Sequence, residues 1–315
     1  MSSIRVERYS SEKEKQWNDF NKCSRNALFM FDRGFMDYHS DRFTDHSLMF
    51  FCDDKLITLL PMNEKDGQLI SHGGLTYGGF IFSEEMKQTT MLECFEMLKE
   101  YATEQNFSKI IYKKVPYIFF NQSSEEDEYA LYKCGGRLLK TEPSTVVNLK
   151  EPLEMATLRK RKIKKAQKEG VQIIESNEKS EYERFLEIQN EALSRHGVKT
   201  VHTPDELWLL HSRFPEAIRL FYASLNGQMI GGSTIFEYNN VIHTQYLCAY
   251  EKGRDLGALD LTIESIINRY RGDKKWLDFG ISSEQAGLYL NEGLISQKEG
   301  FGGRTLTYKT WELDL

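Results

Sequence analysis

Two stretches of the chain repeat one alternation of apolar and polar positions. "LMFFCDDKLITLLPM" holds two β-rich runs around Asp53-Asp54, and "LFYASLNGQMIGGSTIF" holds two around Asn226-Gly227; each predicts a hairpin with a tight turn. Downstream of each turn a His stands in a short apolar segment, His72 in "LISHGGLTYGG" and His243 in "VIHTQYLCAY". Apolar residues three and four apart then predict a helix over 86–105 and another over 256–270. A short strand follows each helix, "KIIYKKV" or "KWLDFGI". Next come a segment ending in glycines, "LYKCGGRLL" or "ISQKEGFGGRTL", and a closing strand, "STVVNL" or "TYKTWEL". The order hairpin, strand, helix, strand, helix, strand thus occurs twice. It predicts a duplicated α+β unit with a mixed sheet flanked by helices, the halves covering 1–150 and 151–315.

The joint between the halves is strongly basic. "TLRKRKIKKAQKEG" (157–170) carries Arg159, Lys160, Arg161, Lys162, Lys164, Lys165 and Lys168 and closes on Gly170, as a helix C-cap does. Two readings stay open: a solvated helix bridging the halves, or a basic wall over an anionic ligand. The formal net charge of −6 gives no global pull toward nucleic acid, so DNA is not an expected partner and any anion affinity must be local. One local candidate is "EKGRDLGALDLTIESII" (251–267), where a glycine-rich turn feeds a helix. The amides and macrodipole of such a start favour phosphate, which marks Lys252, Gly253, Arg254, Gly257 and Ala258. The five cysteines are odd in number and far apart, with neither C-x-x-C nor Cys/His spacing, so neither a disulfide framework nor a metal site is expected. Nowhere do about 18 apolar residues run without charge, so the sequence predicts no membrane span and a cytoplasmic protein.

Candidate chemistry gathers in the second half. His243 changes charge near neutrality and is the candidate base; Tyr246, on the same segment, is a candidate acid or hydrogen-bonding orienter. Asp278 falls at the end of the next parallel strand, where open sheets place ligands, and could bind an ammonium or hold His243 in one tautomer. On the acceptor side stand Tyr38, His39 and Arg42 in "RGFMDYHSDRFTDHS", His72 and Tyr77 bracketed by glycines, and His196 and His202 before a helix start at Thr203-Pro204. A cleft lined by these residues would suit a polar amine. G-x-S-x-G, Walker and H-E-x-x-H patterns are absent.

The repeated unit resembles the GNAT acyltransferase fold. The tandem order, with "RKRKIKKAQKEGV" entering the second half and "DFGISSEQAGLYLNEGLISQKEGFGGR" near its end, is similar to the Fem-type bacterial acyltransferases. The resemblance implies two tandem GNAT-like domains and an enzyme that moves an acyl group from acyl-CoA, such as acetyl-CoA, to an amine. It implies a diphosphate loop of the form Q/R-x-x-G-x-G/A, matched at Arg254 and Gly257, with Leu259 where a small residue is expected. It also implies a splayed strand whose backbone N–H groups from Leu247 to Ala249 polarise the donor carbonyl, and a donor site in the second half only. "ALYKCGG" resembles the family's closing Tyr region, with Tyr132 read as a packing aromatic; the second half has Ser296 there. The expected acceptor is a small-molecule amine, possibly on a cell-envelope sugar or peptidoglycan precursor. Aminoacyl transfer from tRNA and a non-catalytic scaffold are the alternatives.

Overall fold

The computed structural model describes residues 4–194 and 200–315. The chain forms two compact units. The first comprises 1–142, 285–289 and 307–315; the second comprises 143–284 and 290–306. This partition departs from 1–150 and 151–315 in three places: the break falls at 142/143, and residues 285–289 and 307–315 group with the first unit. Residues 307–315 do so by pairing, because the end of the last strand runs antiparallel to a strand of the first unit from Thr310↔Lys113 to Asp314↔Lys109.

In the first unit, β1 (Ile4–Arg8), β2 (Leu48–Cys52), β3 (Lys55–Leu60) and β5 (Ile81–Phe82) form one antiparallel sheet, while β4 (Gln68–Ile70) belongs to another. Helix α1 (Gln88–Glu104) buries Met91, Cys94, Phe95, Leu98 and Ala102, the stripe its sequence spacing predicts. Strand β6 (Lys109–Lys113) runs parallel to β4, from Gln68↔Lys109 to Ile70↔Ile111. Helix α2 (Glu126–Lys133) follows; Tyr132 on it is 73% exposed and packs in no core, contrary to the sequence reading.

Strand β7 (Arg137–Asn148) leads out of the first unit and into the second. There the basic stretch forms α3 (Thr157–Lys168), closed by Gly170 at φ +77° with Val171 N–H donating to Ala166 O, a Schellman end. Next come β8 (Gln172–Ser176), α4 (Lys179–Ser194) and α5 (Pro204–Arg213), the last started by a capping box between Thr203 and Glu206. β9 (Ile218–Leu225) and β10 (Gln228–Glu237) form the expected hairpin. Its central residues, Asn226 and Gly227, both have positive φ (53° and 77°), as a type I′ turn requires. β11 (Val241–Ala249), α6 (Glu251–Leu256), α7 (Ala258–Tyr270), β12 (Trp276–Ile281), α8 (Glu292–Glu299) and β13 (Arg304–Asp314) complete the chain.

Within the second unit the strand order is β8-β9-β10-β11-β12-β7, antiparallel except for β11 and β12. Helix α7 covers one face, packing Ile263, Ile266 and Ile267 against Phe221, Ile235, Ile242 and Leu277. Its first turn packs through Ala258 and Leu261 on Ile163 and Ala166 of α3. Among the described residues no helix is long and apolar enough to cross a membrane.

Candidate active site

The two parallel strands of the second unit share only three register positions, Val241↔Trp276, Ile242↔Leu277 and His243↔Asp278. Immediately beyond them both strands are irregular. In β11, Thr234 faces Tyr246 while Ile235 faces Thr244, so Gln245 is an inserted residue. In β12, Asp278 faces Val146 while Ile281 faces Ser144, and Gly280 at φ +72° takes up the extra length. The strands therefore part at His243 and Asp278, leaving the β12-facing edge of residues 244–249 outside the parallel ladder. The splay implied for the donor strand, with Leu247 and Ala249 on it, has this structural basis.

At the fork, His243 Nδ1 lies 2.8 Å from Asp278 Oδ2. Asp278 is fully buried and acts as an acceptor three times over: Ser144 Oγ and the Gly280 N–H (3.1 Å) both donate to its other oxygen. Asp278 thus engages the Nδ1 side of the ring, which leaves Nε2 as the nitrogen turned away from it. Nε2 has no hydrogen-bond partner among the described residues. A Cβ on Gly280 would lie 3.3 Å from His243 Cε1, so this glycine leaves the ring its space.

The inserted Gln245 has a second effect. Ile242 and Leu247 both pack toward α7, so Tyr246 and Cys248 turn to the opposite face, that of His243 and α4, where Cys248 Sγ approaches Phe185 O. On that face Tyr246 Oη meets His202 Nδ1 at 2.6 Å and accepts the His202 N–H at 3.2 Å. Burial pushes the Tyr246 phenol up, which keeps it protonated and a donor. His243–Asp278 and Tyr246–His202 are thus two couples, three residues apart on one strand.

Sequence reasoning missed Lys298. From α8 its Nζ donates to Gly280 O (2.9 Å) and Ile281 O (2.7 Å), on the very turn that holds Asp278 and His243. It is buried, and burial drives its pKa down to about 8, opposed by the nearby Asp278 charge. The only sequence signal was a lysine inside a glycine-rich knot.

The start of α7 is built differently from expectation. Residues 251–256 are helical, and the chain breaks only at Gly257, φ +83°. A Cβ at Gly257 would lie 2.5 Å from Lys162 O, and one at Gly253 2.2 Å from Ile230 O. Both close approaches are therefore made by the protein's own backbone. Ala258 is fully buried under α3, and Asp260 in the first turn of α7 pairs with Arg159 at 2.7 Å, supplying the helix start with an anion already. Lys252 and Arg254 remain exposed. This geometry runs against the phosphate role given to Gly253, Gly257 and Ala258. Much of the basic helix is likewise committed: Arg159 to Asp260, Lys160 to Glu154 (2.5 Å) and Lys165 to Asp255 O (2.8 Å).

In the first unit the acceptor candidates partly gather. Tyr38 stacks on His39 (4.3 Å), His39 on His72 (5.3 Å, 14°), and the Arg42 guanidinium sits 5.4 Å over the Tyr38 ring. Gly74 allows this, since a Cβ there would lie 2.1 Å from His39 Nε2. Burial lowers the pKa of both histidines. Tyr77 is apart, packed on Phe119 (4.7 Å) and Tyr308 (5.7 Å). His196 lies outside the described residues.

The first unit has an equivalent parallel pair, but the chain fills the gap beyond it. Ser71 N–H donates to Ile111 O (2.8 Å), Gly78 N–H to Lys113 O (2.9 Å), and Lys113 Nζ to His72 O (2.6 Å) and to Leu75 O. Segment 71–78 thereby staples the gap that the second unit leaves open.

Residues 156–286 match the model of the acetyltransferase (GNAT) domain. No curated protein matches the sequence. Among solved structures the chain is similar to FemX, at 10% identity and a TM-score of 0.69 over 99% of this chain and 97% of that one. It is also similar to L-PGS from Bacillus licheniformis, at 15% identity and a TM-score of 0.65 over 98% and 93%. A tandem GNAT protein from the clavulanic acid biosynthesis pathway matches at 9% identity and a TM-score of 0.54 over 99% and 98%. At such identities the likenesses show the fold. The GNAT domain implies an acyl-CoA co-substrate; at the turn 253–258 the close approaches are made by the chain's own backbone, and Asp260 already pairs with Arg159. Residues 156–286 thus match a GNAT acetyltransferase domain, in a chain whose fold is that of the tandem GNAT and Fem-like structures.

Proposed function

We propose that the second unit transfers an acyl group from an activated ester or thioester to an amine at the β11–β12 fork. The observation that carries this reading is the His243–Asp278 couple at the point where the strands part. The attacking amine must lose a proton, and His243 Nε2 is placed to take it while Asp278 steadies the imidazolium that results. Tyr246, held by His202, is a hydroxyl donor on the same face, suited to protonating the leaving group. Amides of residues 247–249, outside the parallel ladder, supply donors for the oxyanion. Lys298 fixes the turn at Gly280–Ile281 and with it the distance between the couple and the opening.

Acyl-CoA is the donor the domain implies, and a small-molecule amine is the acceptor, with amino sugars and peptidoglycan precursors the classes to test first. Aminoacyl-tRNA is the second reading, favoured by one observation: α3 covers the Gly257 turn and leaves Arg161, Lys164 and Lys168 exposed on its outer side. The test is product mass spectrometry with acetyl-CoA, longer acyl-CoAs or charged tRNA against an amine panel, using His243→Ala as control. We expect acylated amine with one donor class and none from the variant. No product with any donor, or equal product from His243→Ala, would overturn the reading.

A further inference from the structure

Where α7 starts, Ala258 and Leu261 pack directly on Ile163 and Ala166 of α3; further along α7 a cavity of about 480 Å³ opens between the two helices. Ile163, Lys164 and Gln167 of α3 line it on one side, and Glu264, Ile267 and Arg271 at and beyond the later half of α7 on the other. Its floor is apolar. Val147, Ile163, Ile267 and Phe301 are buried there, and Met155 packs against them. Its rim is charged, and those charges are unequally committed. Glu154 pairs with Lys160 at 2.5 Å, and Glu264 accepts the Gln167 amide at 3.5 Å, with burial raising its pKa toward the neutral form. Lys164 and Arg271 are exposed and make no ion pair among the described residues.

Both acids of the rim are thus engaged, and both of its uncommitted charges are positive. An inorganic anion would meet the two cations and leave the floor empty. A neutral apolar molecule would fill the floor and gain nothing from the cations. A molecule with one anionic head and one alkyl chain satisfies both. We infer that this cavity binds a single-chain anionic amphiphile, a long-chain fatty carboxylate, with its head between Lys164 and Arg271 and its chain on Val147, Ile163, Ile267 and Phe301. The Arg271 guanidinium suits a carboxylate through its planar fork, and Lys164 adds a point charge. At the mouth Leu153 is 49% exposed and continues the apolar surface outward, where the chain enters. None of His243, Tyr246, Asp278 and Lys298 lines the cavity, so the binding is independent of acyl transfer at the fork.

The test is calorimetric titration of the full chain with dodecanoate, kept below its micelle-forming concentration. Saturable one-to-one binding is expected. Decanoate should bind about tenfold more weakly, because each buried methylene contributes about fourfold. Dodecylamine, the same chain with a cationic head, should bind at least tenfold more weakly than dodecanoate. A Lys164→Glu/Arg271→Glu variant should lose at least tenfold in affinity for dodecanoate. An Arg161→Glu/Lys168→Glu variant makes the same charge change on α3 outside the cavity and should stay within twofold of the wild type; all four positions are exposed, so both variants should keep the circular dichroism spectrum. The proposal falls if dodecanoate shows no saturable binding at millimolar concentration, if decanoate or dodecylamine binds as tightly, or if the two charge variants lose affinity equally. It falls as well if phosphatidylglycerol vesicles capture the chain while monomeric dodecanoate does not, which would assign this face to a bilayer.

Discussion

His243 and Asp278 touch across 35 positions of sequence, and each was marked by a separate cue: a titratable ring on a strand, and an acid at the end of the next parallel strand. Tyr246 and His202 were also marked, but their pairing was not legible, because nothing local ties positions 44 apart. Lys298 was invisible for a different reason: its partners are main-chain carbonyls, which leave no trace in side-chain spacing. Asp278→Asn keeps the shape of the site and removes the charge that orients His243. Transfer should drop by about 10²- to 10⁴-fold in single-turnover measurements, with donor affinity nearly unchanged. Lys298 gives a stability signature. Its folded pKa, about 8, lies below the ordinary 10.5, so between these values the unfolded chain binds more protons and stability rises with pH. Urea unfolding of wild type relative to Lys298→Met should show that rise from pH 8 to 10, amounting to at most about 3 kcal/mol. A flat difference would mean that the amine is solvated.

Hairpins and amphipathic helices were legible at the scale of elements because their determinants are local: turn residues at Asn226-Gly227, a stripe on α7, a glycine after α3. What escaped were the register faults. The extra Gln245 in β11 and the turn at Gly280 in β12 separate the strands, and both depend on pairing with β10 and β7, which a single segment does not reveal. The helix over 251–256 also escaped, since Gly253 in its middle reads as loop; in the structure that glycine admits Ile230 O. Gly257 and Gly280 have similar positive φ but different neighbours, which separates their expected effects. Gly257→Ala meets backbone of α3 and should cost about 1–3 kcal/mol in urea unfolding. Gly280→Ala meets an imidazole edge that can shift; it should cost about 1 kcal/mol yet slow transfer by at least tenfold.

For the whole molecule, the duplication was plain in the sequence, whereas its asymmetry was not. Both units carry a parallel strand pair with a helix between, yet in one the following segment and Lys113 fill the gap that the other keeps open. Burial also weighs on the histidines of the first unit. His39, His46 and His72 of the first unit are all pushed below their ordinary pKa by burial, so as pH falls through about 6.5 the unfolded chain takes up protons that the folded unit refuses. Burial drives the Lys113 pKa down to about 7, which acts in the same direction above neutrality. Hydrogen exchange at pH 5.5 against pH 7.5 should therefore show protection lost at Ile110 and Tyr112 before Ile242 and Leu277. Equal loss in both units would refute this.

The assignment of residues 307–315 to the first unit reaches into the protein's birth on the ribosome. Strand β6 stands at the edge of an unfinished sheet until the whole second unit has been translated, on the order of ten to thirty seconds at ordinary elongation rates. During that interval the nascent amino-terminal portion presents an unpaired strand edge, while the later-made portion, 143–284 with 290–306, is complete before it.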